Sequence, residues 1–156
     1  LTTDPDDIAS AQGQDVRATA KAITGKMLDR ALHGRMGIVI DGTGKDYNKI
    51  KGQVDLLRSI GYSVHMIFVN TDLETALERN KQRPRSLEND LVKKMWKAVQ
   101  NNIGKFQGLF RNRMIVVDNS TGSNIEKATM IAYKGIMTWA KKPPENKIAQ
   151  KWIKSQ

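Results

Sequence analysis

Apolar residues along the chain fall into two kinds of run, and the two kinds alternate. Ile38-Val39-Ile40, the stretch from Ser63 to Val69 and the stretch from Arg113 to Val117 are apolar without a polar residue at every second position, as expected of strands covered on both faces. Between them, apolar residues recur at helical spacing. Ile8, Val16, Ala20, Ile23, Met27 and Ala31 give a loose face reaching about His33, with Gly34 as its stop. Ile50, Val54 and Leu57 give a second helix ended by Gly61, and Leu73, Ala76 and Leu77 a short third one. Leu91, Val92, Met95, Trp96, Val99, Ile103 and Phe106 predict one long amphipathic helix. A last helix runs to about Trp139 before Pro143-Pro144, and Leu1–Thr3 reads as the end of a further strand. Capping boxes are expected at Thr71…Glu74 and Ser123…Glu126. Strands alternating with helices predict an α/β three-layer sandwich with a mostly parallel sheet and right-handed crossovers.

The stretch GIVIDGTGKDYNKI, from Gly37 to Ile50, carries the first candidate chemistry. A buried strand that ends at Asp41 and turns through Gly42 and Gly44 delivers a carboxylate to the strand's carboxyl end, where α/β sheets place ligands. Such an acid can hold magnesium beside phosphates, and it can equally cap the turn. Gly42-Thr43-Gly44-Lys45 is not a phosphate-binding loop: that pattern needs four residues between its glycines and a Ser or Thr after the Lys, whereas Asp46 follows here.

A length of 156 residues suits one domain. There are 26 Lys and Arg against 16 Asp and Glu, a net charge of +10 that favours anionic partners. Asp4, Asp6, Asp7 and Asp15 fall in an opening without a single base, while the positive excess gathers from Arg79 to Arg113 and in the tail. With no cysteine there are no disulfides or thiolate metal sites, and two isolated His residues make a poor zinc site. No run has the length of a membrane span and the polar, acidic beginning is unlike a secretory signal, so a cytoplasmic protein is expected. The chain opens at Leu1 without a methionine and reads as a sequence whose beginning is missing.

Arg79, Lys81, Arg83 and Arg85 alternate along RNKQRPRSLEND, a polar run that predicts a mobile loop because it cannot bury itself and because Pro84 disfavours helix at Arg83. Arginine forks on a movable segment match phosphate oxygens. A solvated charge run is the plain structural reading. Asp4 could accept the proton of an attacking hydroxyl, although Asp4-Pro5-Asp6-Asp7 is also an ordinary helix start. Glu74, Glu78 and Glu88 read as structural, the methionines, Trp96 and Trp139 as packing, and His33 and His65 carry no assignment.

Taken in order, TTDPDD, GIVIDGTGKD, GYSVHMIFVNTDLETALERNKQRPRSLENDLVKKMW and VVDNS resemble the P-loop kinases of the zeta-toxin and polynucleotide-kinase type, bacteriophage versions in particular. The resemblance runs from about Thr2 to Ser120 and is most specific in ALERNKQRPRSLENDLV. It implies a kinase-like domain over residues 1–140, a lid at about 79–90 and a basic tail over 141–156. It further implies Asp4 facing the acceptor hydroxyl, Asp41 near magnesium and the phosphates, Arg79 and Arg83 as lid contacts with Arg85 beside them, and Asp118-Asn119-Ser120 flanking adenine. ATP and Mg2+ are the implied ligands, with a nucleotide, nucleotide-sugar or polynucleotide hydroxyl as acceptor. The family's first strand, its glycine-rich Lys loop and the helix after it are expected upstream of Leu1. The strand would be the central one, between those at Gly37 and Ser63. Two functions therefore stand side by side: a phosphotransferase completed by that segment, or a catalytically inactive kinase-like remnant acting as a nucleic-acid-binding or structural phage module through its basic lid.

Overall fold

Side-chain oxygens start most of the helices in the computed structural model, which describes residues 10–156. Leu1–Thr3 and Asp4 lie outside the described residues. The elements run α1 (Ala11–His33), α2 (Tyr47–Ser59), β1 (Met66–Asn70), α3 (Leu73–Lys81), α4 (Asn89–Gln100), α5 (Ile103–Phe110), β2 (Met114–Asp118), α6 (Ile125–Lys141) and α7 (Lys147–Lys154), with a 3-10 turn at Arg111–Arg113. They fall into two compact units, Leu1–Gly42 with Gln82–Ser86, and Thr43–Lys81 with Leu87–Gln156.

In the first unit, Ser10 Oγ accepts from the Gly13 amide at 3.0 Å to begin α1. The Gly34 amide donates to Arg30 O at 2.9 Å and ends the helix at the expected stop. The expected apolar face is not a core: Ile23 and Met27 are 54% and 64% exposed. The segment from Gly37 to Asp41 corrects a second expectation, because it has no regular secondary structure and is not a strand, and Val39 is 97% exposed. A strand exists only through its ladder, and no described residue pairs with this run. β-Branched composition alone does not supply a partner.

The second unit is α/β around a parallel pair, with β1 and β2 in register from Met66 opposite Met114 to Asn70 opposite Asp118. Residues alternate between the faces of the pair. Met66, Phe68 and Met114 pack with Val54 of α2 and Phe106 and Phe110 of α5. Phe106 is fully buried, with ring centroids of Tyr47, Phe68 and Phe110 at 5.5, 6.2 and 6.5 Å. On the other face Ile115 and Val117 meet α6, where Gly135 leaves no room for a Cβ beside Ile115 Cδ1. A helical layer thus lies on each side of the pair. Both strands end one residue beyond the expected limit.

Asp46 caps α2, its carboxylate accepting from the Lys49 amide at 3.0 Å, which agrees with reading the preceding glycines as a helix start. Gly44 takes φ +73° with Phe68, Phe106 and Val99 packed about the place of its missing Cβ. The single helix expected from Leu91 to Phe106 is instead α4 and α5, broken at Asn101-Asn102. Asn102 is buried, and its Nδ2 donates to Gly44 O at 3.1 Å and Lys45 O at 3.0 Å. Both expected capping boxes shift by one residue. Asp72, not Thr71, accepts from the Thr75 amide at 2.6 Å, and Asn124, not Ser123, accepts from Lys127 at 3.0 Å. The tail docks through a polar contact, Asn146 Nδ2 to Arg58 O at 2.8 Å, while Ile148, Trp152 and Ile153 of α7 stay exposed. No helix among the described residues is long and apolar enough to cross a membrane.

Candidate functional site at the strand carboxyl ends and the basic turn

Where β1 and β2 end, the loops after them are tied to each other. The Asn119 amide donates to Asn70 O at 2.8 Å, extending the ladder by one bond. Thr71 Oγ1 donates to Asn119 O at 3.4 Å, the Asp72 amide to Ser120 Oγ at 2.9 Å, and the Thr121 amide to Thr75 Oγ1 at 2.9 Å. Two side chains of α4 brace the first loop: Trp96 Nε1 donates to Thr71 O at 2.8 Å and Gln100 Nε2 to Asn70 Oδ1 at 2.7 Å. Trp96 therefore does more than pack.

Asp118 and Asn119 lie at the centre of this lattice. Asp118 Oδ1 accepts from Ser120 Oγ at 2.7 Å and from the Ser120 amide at 3.0 Å, and these bonds hold its carboxyl below the usual range against the nearby charge of Asp72. Asp72 is lowered too, first by the Thr75 amide. Two ionised carboxylates with lowered proton affinity are weak proton acceptors. They order a rim at the strand carboxyl ends instead, where α/β folds place ligands, and their charges favour donor groups of a ligand there.

The basic turn is more ordered than a solvated run. Asn80 is 4% exposed, and its amide grips Leu87 from both sides: Nδ2 donates to Leu87 O at 2.8 Å and Oδ1 accepts from the Leu87 amide at 3.0 Å. Residues 82–86 form a loop pinched at its base by Asn80 and Leu87, against the expectation that none of this run is buried. Arg79 is exposed on the last turn of α3, where a cation also suits the helix C-terminus. Arg83 and Arg85 are exposed on the loop, and that loop groups in one compact unit with the segment carrying Asp41, also exposed. Arg79, Asp118 and Asn119 belong to the other unit. Asn80, Asp72, Thr75 and Trp96 are the residues that sequence reading missed. The spacing of Asn80 and Leu87 about a Pro-centred turn was the one available signal.

Among the described residues no group of three or more His, Cys, Asp or Glu is arranged to hold a metal ion. Magnesium bound with nucleotide phosphates needs only one or two protein carboxylates, so an exposed Asp41 fits that mode.

No curated protein and no solved structure matches the chain. A family model described as AAA domain matches residues 3–105, two thirds of the length, from Asp4 through Asp41 to the basic turn and α4. The chain belongs to the AAA domain family, within the nucleotide-binding P-loop NTPases that include kinases.

Proposed function

We propose that the protein is an ATP-dependent phosphotransferase of the P-loop kinase, zeta-toxin-like type, moving a γ-phosphate to a hydroxyl of a nucleotide, nucleotide-sugar or polynucleotide end. The observation that carries the reading is the pinched basic loop inside the matched segment. Asn80 ties together the two ends of the loop that carries Arg83 and Arg85, and Arg79 lies on the last turn of α3. Guanidinium groups so presented suit the charge that develops on a transferring phosphoryl group. Asp4 accepts the acceptor's proton, and Asp41 is the carboxylate for magnesium, which when bound supplies charge neutralisation at the phosphates. Asp118 and Asn119 flank the nucleotide base.

The test uses the full reading frame that encodes this chain, with radiolabelled ATP, Mg2+ and a 5′-hydroxyl oligonucleotide, a nucleotide and a nucleotide-sugar as acceptors. Labelled product is expected with one of them. Arg83→Ala and Asp41→Asn should each lower transfer by about 10²-fold or more, the loss expected when one group that stabilises transition-state charge is removed. Bound ATP without transfer or turnover would refute the proposal. The net charge of +10 favours a second reading, a non-catalytic nucleic-acid-binding module. That reading predicts salt-sensitive binding of single strands, indifferent to Asp41→Asn and lost on neutralising the basic loop.

A further inference from the structure

At the opposite end of the strand pair from Asp118, where β2 begins, a hollow of about 560 Å3 is lined by three arginines, Arg58, Arg111 and Arg113, with Asn112, Phe110 and a single carboxylate, Glu145. The arginines come from the last turn of α2 and from the 3-10 turn between α5 and β2. Two of them are held in place. Arg58 Nη2 donates to Leu109 O at 3.1 Å, and its guanidinium lies 5.9 Å from the Phe110 ring centroid. Arg113 Nη2 is paired with the Glu145 carboxylate. Each guanidinium has five N–H donors, so these partners leave most of them available.

Arg111 is different. Among the described residues its guanidinium has no such partner, and its backbone sits at φ +51°, ψ −122°, a conformation suited to glycine. Strain of this kind persists where the surroundings or a function require it. Packing does not require this side chain, which is exposed. Three guanidinium groups around one carboxylate leave the hollow with an excess of two positive charges, and planar forks match phosphate oxygens in pairs.

We propose that this hollow binds a terminal phosphate, free or carried on the end of a nucleic acid, with Arg111 as the ligand-seeking group and Glu145 as the counter-ion that the phosphate displaces from Arg113. The proposal does not rest on the phosphotransferase reading: of the three arginines only Arg58 lies within the segment matched to the family, while Arg111, Arg113 and Glu145 lie beyond it.

The test titrates the full chain with sodium pyrophosphate by calorimetry and follows arginine Nε–Hε signals by NMR. Arg111→Gly removes the side chain while relaxing the backbone, so folding is preserved. It should weaken binding by about tenfold, the loss of charge-assisted hydrogen bonds. Glu145→Gln should tighten binding about threefold, the effect of releasing Arg113 from an exposed ion pair. Lys134→Ala, the same loss of one positive charge as in Arg111→Gly but at an exposed position of α6, should leave affinity unchanged. A 5′-phosphorylated oligonucleotide should compete with pyrophosphate and its 5′-hydroxyl counterpart should not. If pyrophosphate binds and the phosphorylated oligonucleotide does not displace it, the free ligand alone is the occupant. No binding of pyrophosphate overturns the proposal. So does an equal loss in Arg111→Gly and Lys134→Ala, which would mean diffuse charge, or equal competition by both oligonucleotides, which would mean backbone recognition.

Discussion

Replacing Asn80 by alanine should open the basic turn without unfolding the second unit. Among the described residues the Asn80 amide alone bonds both backbone groups of Leu87, at 2.8 and 3.0 Å. Each neutral hydrogen bond contributes about 0.5–1.5 kcal/mol net, so losing both costs roughly 2 kcal/mol of local closure. Leu87 is only half-buried, so water can reach the freed groups and holds the cost near that value. At 1.4 kcal/mol per decade the open population rises about 30-fold. Trypsin reads that population when opening is fast compared with cleavage. Lys81 and Arg85 are the reporting sites, because Pro84 protects the bond after Arg83. Cleavage after Arg85 in Asn80→Ala should therefore accelerate about 30-fold relative to the parent, while the urea midpoint moves much less than a core substitution would move it. An unchanged cleavage rate at equal global stability would refute the clamp.

Other outcomes follow from the packing and the titrating groups. Phe106→Ala, at the one fully buried side chain among those described, should cost about 3–5 kcal/mol in urea denaturation. Less than about 1 kcal/mol would mean that the α2–α5–sheet core is not where the second unit's stability lies. His65 stacks on Trp139 at 4.3 Å with its Nδ1 buried and unpartnered. Burial, then the Arg113 charge, lowers its proton affinity, with Glu145 opposing. Folding thus favours the neutral ring: this contribution is complete above the ordinary value of 6.5 and is lost as pH falls through the lower folded value. The denaturation midpoint should drop on going from about pH 7.5 to about pH 5, and His65→Phe should reduce that drop. Asp118 is lowered chiefly by the Ser120 hydroxyl, so Ser120→Ala should raise its carboxyl titration in a 13C NMR experiment. In the parent, the stabilising bonds of Asp118 and Asp72 persist above the ordinary value of 3.8 and fail as pH falls through the lower folded values.

What the sequence disclosed is the part governed by local pattern. The glycine stop at Gly34, the helix over Ile50, Val54 and Leu57, the two paired strands and the turn about Pro84 all follow from spacing and from residues that act within a few positions. The errors arose where a remote partner decides. Ile38-Val39-Ile40 has every local property of a strand and is not one, because pairing is a property of two segments. Asn102 divides a helix that periodicity draws as continuous, since its partners are 58 and 57 positions away at Gly44 and Lys45. The candidate site divides in the same way. Asp118 and the basic run could be picked out by residue type, whereas Asn80, Asp72 and Thr75, which hold those segments in shape, look like ordinary polar residues until their bonds are known.

The parallel register of β1 and β2 bears on how the chain must assemble. Met66 faces Met114, so every ladder bond spans about 48 positions, and loops of that length close late because their entropy is lost before any pairing energy is gained. The intervening α3, α4 and α5 make shorter-range contacts and can form first, before β2 leaves the ribosome to pair with β1. The segment recognised as an AAA domain stops at residue 105, one short of Phe106 and well short of β2. A polypeptide cut at that limit would lack the strand that pairs with β1, the helix that covers the far face and the ring at the centre of the core. Here the stretch that identifies the lineage is shorter than the stretch that the fold requires.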